Sequence, residues 1–194
     1  TRYNYRVRWG ALNNRASYPA ENFVDLSDTP DIMVGGRSLS RIEFAIYKES
    51  SQWVGVAQSG TQPFKFEKRD TKPGPVSTAA IVDAEGRHYY LGLDSSVYAF
   101  DGIRTTHIGT PIRRWIAANL NITAQKRAFG FFARRDRDVY WVLPPSNSDD
   151  PSIGLSYNVD TEAFFPHEFG FAVSCGTQWE YRTTVTWADL TTYT

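Results

Sequence analysis

Ala79-Ala80-Ile81-Val82, Arg87-His88-Tyr89-Tyr90-Leu91, Ser96-Val97-Tyr98-Ala99-Phe100 and Arg104-Thr105-Thr106-His107-Ile108 are four short runs rich in β-branched and aromatic residues. Such residues suit a pleated, half-buried surface, and runs of this length read as strands. The first two flank Asp83-Ala84-Glu85-Gly86, a hairpin loop with glycine near its end, and the last two flank a turn at Asp101-Gly102. Residues 79–108 therefore predict one antiparallel unit of four strands.

The scheme extends in both directions. Upstream, Ile42-Glu43-Phe44-Ala45-Ile46-Tyr47 alternates, with Ile42, Phe44 and Ile46 on one face, and Gln52-Trp53-Val54-Gly55-Val56 follows as its hairpin partner. Downstream, Ala128 to Ala133 and Val139 to Leu143 flank Arg134-Arg135-Asp136-Arg137-Asp138. After a polar loop from Pro144 to Ser152, Ile153 to Val159 and Ala163 to Phe165 are joined by Asp160-Thr161-Glu162. One segment departs from the pattern. Thr110 offers an N-cap, Pro111 suits a first helical position, and Ile112, Trp115, Ile116 and Asn119 or Leu120 fall at helical spacing, so a short amphipathic helix is predicted over 111–120.

Phe44, Tyr90 and Tyr140 occupy the middle of three comparable hairpins, 46 and 50 residues apart. A period of about 40 to 50 residues with three or four strands each is that of a β-propeller blade. The fold read here is all-β, with antiparallel hairpins arranged as about three blades near 6–70, 74–120 and 126–170, and a further blade starting over 171–194. A β-sandwich also strings short strands at such intervals and stands as the alternative. About four to eight blades close a typical propeller. Three leave edges and inner faces unpaired. The chain begins at Thr1 without a methionine and stops in Thr191-Thr192-Tyr193-Thr194. The expectation is a fragment or processed chain, completed by further segments or by neighbouring subunits.

Composition narrows the function. The 194 residues carry 21 Lys+Arg against 21 Asp+Glu, which argues against a protein whose main task is gripping nucleic acid through a basic surplus. Aromatics at 15% supply a core and exclude wholesale disorder. A lone cysteine, Cys175, excludes an intramolecular disulfide and reads as a small buried or half-buried apolar residue. No apolar run approaches the ~18 residues of a membrane span, and no n-region followed by an apolar h-region resembles a signal peptide.

No catalytic motif stands out: there is no nucleophile elbow, zinc-protease helix, Cys-x-x-Cys pair or Walker loop. His88, His107 and His167 are scattered, and His88, alternating within a strand, reads as a packed histidine. Gly35-Gly36 reads as a turn needing positive φ. Asp136 and Asp138 are weighed as a glycosidase pair against a solvated hairpin tip, and the tip is preferred. Asp149-Asp150-Pro151 reads as a loop rather than a calcium site. Arg113-Arg114 and Arg134-Arg135-Arg137 read as surface or intersubunit charges. No catalytic, cofactor or metal residue is assigned, no cofactor is expected, and binding residues stay unassigned.

Several segments resemble the blades of tail and neck proteins of tailed bacteriophages. Arg6-Val7-Arg8-Trp9 with Ile42–Tyr47-Lys48-Glu49 looks like an opening blade. The more specific likeness runs through Gly74-Pro75, Ala79–Asp83, Gly86–Gly92, Ser96–Gly102 and Ile108-Gly109. Ser156-Tyr157-Asn158-Val159-Asp160-Thr161-Glu162-Ala163-Phe164 is similar to a closing hairpin of that family, with Glu162 where glycine is usual and Phe164 where tryptophan is usual. Thr186-Trp187-Ala188-Asp189-Leu190 looks like the linker after such blades.

The resemblance implies a non-enzymatic virion component, a tail nozzle, hub or connector in an oligomeric ring around the DNA-exit channel. Its partners would be portal, adaptor, tail-fibre or tail-tip proteins, with DNA passing unread. It would be assembled in the bacterial cytoplasm and reside in the tail or neck. The alternatives are a carbohydrate-binding or glycoside-hydrolysing propeller, with Trp53, Trp141 and Trp179 as stacking candidates although core packing is the better reading of the first two, and a host-surface binding domain of a virion.

Overall fold

The computed structural model describes residues 3–11, 14, 16–60 and 62–176. Three four-stranded antiparallel sheets follow one another along the chain, each a simple meander. The first holds β3 (Met33–Ser38), β4 (Glu43–Lys48), β5 (Gln52–Ala57) and β6 (Phe64–Asp70). The second holds β7 (Ile81–Ala84), β8 (Arg87–Leu91), β9 (Val97–Phe100) and β10 (Thr105–His107). The third holds β11 (Phe129–Ala133), β12 (Asp138–Leu143), β13 (Ile153–Asn158) and β14 (Phe164–Glu168). A two-stranded ribbon, β1 (Arg6–Arg8) with β2 (Phe23–Asp25), precedes them, and helix α1 (Arg113–Asn119) lies between the second and third sheets in the chain.

Alternation along each strand explains the stacking. On β4, Ala45 and Tyr47 point to one side and pack with Ile81, Tyr90, Tyr98 and Phe100 of the second sheet. Ile46 on the opposite side packs with Leu26, Trp53, Val7 and Val24, beneath the β1–β2 ribbon. The second sheet behaves likewise. Its Val82, Tyr89, Leu91 and Ala99 turn away from the first sheet into a core shared with Val139, Trp141, Leu143 and Leu155 of the third. The period-2 pattern, apolar on both sides, is what a middle layer requires.

The β7–β8 hairpin forms where expected but is tighter: Thr78–Ala80 make a 3-10 turn rather than strand, β7 runs on through Asp83 and Ala84, and the turn is two residues, Glu85 at φ +57° and Gly86 at φ +81°. Several expectations need correction. Ile42 lies outside β4 and is exposed, leaving Phe44 and Ile46 as that face. Gly35 and Gly36 sit inside β3 rather than in a turn, and neither has positive φ. A side chain at Gly35 would place its Cβ 2.1 Å from Thr78 Oγ1, so the residue is needed for close approach rather than for a turn.

Helix α1 begins at Arg113 with no side-chain cap. Thr110 directs its hydroxyl to His107 instead, and residues 110–112 form a turn. The predicted apolar stripe holds: Ile112, Ile116 and Leu120 are buried between the second and third sheets, with Trp115 half-buried beside them.

Candidate assembly surface

The contacts between successive sheets concentrate on their first strands. Ser77 and Thr78, in the turn entering β7, reach both ways: Thr78 Oγ1 donates to Val34 O at 2.9 Å, and Ser77 Oγ donates to Ala128 O at 2.9 Å. Gly130 on β11 lies so close to β7 that a Cβ there would meet Val82 Cγ2 at 2.5 Å. Trp141 then ties the third sheet to the second by donating its indole N–H to Ala80 O at 3.0 Å. The three first strands β3, β7 and β11 thus converge along one edge of the stack.

A buried polar link joins the first two sheets. His88 on β8 is fully buried, with Nε2 2.9 Å from Ser38 O and Nδ1 2.8 Å from the Tyr47 hydroxyl. A carbonyl only accepts, so Nε2 carries the proton and Nδ1 accepts from Tyr47. Burial pushes the imidazole below its usual value, and the Ser38 carbonyl opposes this only in part. The packed-histidine reading of His88 holds, and its partners are on the neighbouring sheet.

The two ends of the stack differ. At the first sheet, Lys48 is buried, pairs with Asp31 at 2.9 Å, and donates to Leu26 O, Thr29 O and Thr29 Oγ1. Burial raises the Asp31 pKa, but hydrogen bonds from Thr29, Lys48 and Ser50 outweigh it and hold the carboxyl well below the usual carboxylate range. This anchor fixes the segment after β2 over the outer face of the sheet.

At the third sheet, no described sheet covers the far face. Phe131 and Tyr140 stack there with centroids 5.2 Å apart, and His167 follows at 5.6 Å from Tyr140. Ser156 lies beneath them with its hydroxyl 2.9 Å from His167 Nε2. Phe165 is 50% exposed, and Phe171 in the segment after β14 is 67% exposed. Phe131, Tyr140 and His167 are half-buried, and among the described residues Phe165 is the exposed large apolar side chain of this sheet face.

The other candidate residues are placed as follows. Asp136 is exposed at the β11–β12 tip, while Asp138 accepts from Asn158 at 2.7 Å. Arg137, at φ +57°, does not pair with either: it bridges Asp160 of its own sheet and Glu85 of the second, at 2.7 Å each. Asp150 pairs with Arg127 at 2.7 Å, and Asp149 accepts from Asn121. Arg113, Arg114, Arg134 and Arg135 are exposed. Trp53 and Trp141 are buried in cores, so neither is a sugar platform, while Trp179 lies outside the described residues, as do Thr186–Leu190. Cys175 is exposed, which corrects the buried reading: its segment runs past β14 and is not part of a sheet.

Among the described residues no group of three or more His, Cys, Asp or Glu side chains could hold a metal ion, and no helix is long and apolar enough to cross a membrane. No protein-family model matches the chain, and no curated protein matches it.

Proposed function

We propose that the chain is a structural virion protein, a tail nozzle, hub or connector component in which the three sheets are blades of an incomplete β-propeller. The observation that carries this reading is the stacking itself. Successive four-stranded meanders pack face to face in chain order with their first strands converging, as blades converge on a propeller axis. A two-sheet sandwich has a single interface, whereas here the middle sheet buries both faces. The closing hairpin adds support. Glu162, where the resembled family usually has glycine, stands at φ +56°, the region glycine favours.

In this role the protein works mechanically. Rigid sheets form a wall, loops and the apolar far face make contacts between virion proteins, and DNA passes without being read. The balanced charge of the chain suits a passage that releases rather than retains a polyanion. The test is oligomeric state together with ligand binding. Sedimentation of the full-length protein should give a ring-sized homo-oligomer that ignores a glycan array. A monomer that binds or hydrolyses polysaccharide would overturn the structural reading.

A further inference from the structure

We propose that the cleft between the hairpin tips of the second and third sheets binds phosphate, free or as a monoester, gripped by Arg87 and Arg137 over the Tyr89 hydroxyl. The site needs only the packing of these two sheets and stands whether or not the chain is a virion component. The cleft has a volume of about 310 Å³ and is lined by Ala84, Glu85, Arg87, Tyr89, Arg137 and Val159. Its charged lining is two guanidiniums against one carboxylate, so it favours an anion. The carboxylate is already engaged. Glu85 accepts from Arg137 Nη1 at 2.7 Å, while Arg137 Nε donates to Asp160 at 2.7 Å. These contacts fix the Arg137 guanidinium and leave its Nη2 without a hydrogen-bond partner among the described residues. Arg87 is exposed, and its side chain makes no hydrogen bond or ion pair there either. Asp101, on the β9–β10 turn, accepts from the amides of Ile103 and Arg104 and does not bond Arg87.

A second observation is Tyr89 itself. It is 5% exposed, and its ring is held 5.6 Å from that of Tyr157 across the interface between the two sheets. A hydroxyl on so buried a side chain ordinarily has a partner. This one has none among the described residues, and the cleft it lines is where a partner would enter. The third observation is in the backbone. Glu85 and Arg137 both stand at φ +57° on facing tips. Glycine would relieve both turns but would carry no side chain. Strain retained at two tips whose side chains meet over one cleft points to a binding site there. Guanidinium and phenol donors reach the cleft from different elements, which suits the several acceptor oxygens of a tetrahedral oxyanion.

Phosphorus NMR titration of the full chain with inorganic phosphate and with adenosine monophosphate, at constant ionic strength, tests this. Both probes should broaden saturably at millimolar concentration. The unfolding midpoint should rise over the same range, because a ligand held only by the folded chain stabilises it. Arg87→Gln, at an exposed position, should fold as the unaltered chain does and weaken binding at least about tenfold. Tyr89→Phe keeps the ring packing and should weaken binding about threefold. Tighter binding of the nucleotide would identify a monoester as the ligand, and tighter binding of inorganic phosphate the free ion. No saturable response at millimolar phosphate would overturn the inference. A response that acetate reproduces at equal ionic strength, or one unchanged by Arg87→Gln, would overturn it too. Binding of duplex DNA without binding of either small probe would replace the site with a nucleic-acid surface.

Discussion

The outer faces of the first and third sheets are built from the same alternation yet differ in how they are finished. The first buries Ile46 and Trp53 under the β1–β2 ribbon and fastens it with the fully buried Lys48. The third presents Phe131, Tyr140, Phe165 and His167 with no described sheet above them. The difference shows what finishes an outer face here: a ribbon and a buried cation on the first sheet, half-buried aromatics on the third. One end is closed by the β1–β2 ribbon, and the other leaves Phe165 half exposed.

Truncation at the covered end should have the largest effect. Trp53→Ala removes a side chain that is only 5% exposed and should cost about 3 to 5 kcal/mol in urea unfolding. At the open end, Phe165→Ser should leave the isolated chain within about 0.5 kcal/mol of its starting stability while weakening assembly. Equal losses at both ends would erase the contrast. The anchor comes next. Lys48→Met leaves the Asp31 carboxylate without its cation and should cost about 3 kcal/mol, with Asp31→Asn in the same background restoring part of it.

A smaller, pH-dependent effect belongs to the interface between the first two sheets. The pKa of His88 is lower in the folded protein than its usual 6.5, so between the two values the unfolded chain binds more protons. Its contribution is complete above pH 6.5 and is lost as pH falls toward the folded value. Unfolding midpoints measured from pH 8 to pH 5 should drop less steeply in His88→Gln than in the unaltered protein. The smallest effect is favourable: Glu162→Gly relieves a positive φ at the β13–β14 turn and should raise stability by about 0.5 to 1 kcal/mol. A loss there would mean the Glu162 side chain does more than tolerate the turn.

Much of this architecture was legible from the sequence because strand alternation is local. The second and third sheets follow the expected runs to within a few residues, since Tyr89 and Tyr90 or Val139 and Trp141 reveal their sides through spacing alone. Strand β3 was not legible. Gly35-Gly36 carries the signature of a turn, and the reason for glycine there is Thr78, a residue 43 positions away. Lys48 was opaque for the same reason. It ends β4 on the outer-face side shared with Ile46, and its partners come from residues 26–31 rather than from its own hairpin. The link from His88 to the first sheet was half legible: alternation predicted a packed histidine, but only the stacking of sheets supplies Tyr47 and Ser38. Thr110 misled because a good capping residue is also a good partner for His107.

The most direct test of the central claim is electron cryomicroscopy of the full-length protein. The account predicts four-stranded sheets set radially around a common axis, with the edge formed by β3, β7 and β11 innermost. A particle in which the first strands point away from any axis would contradict it.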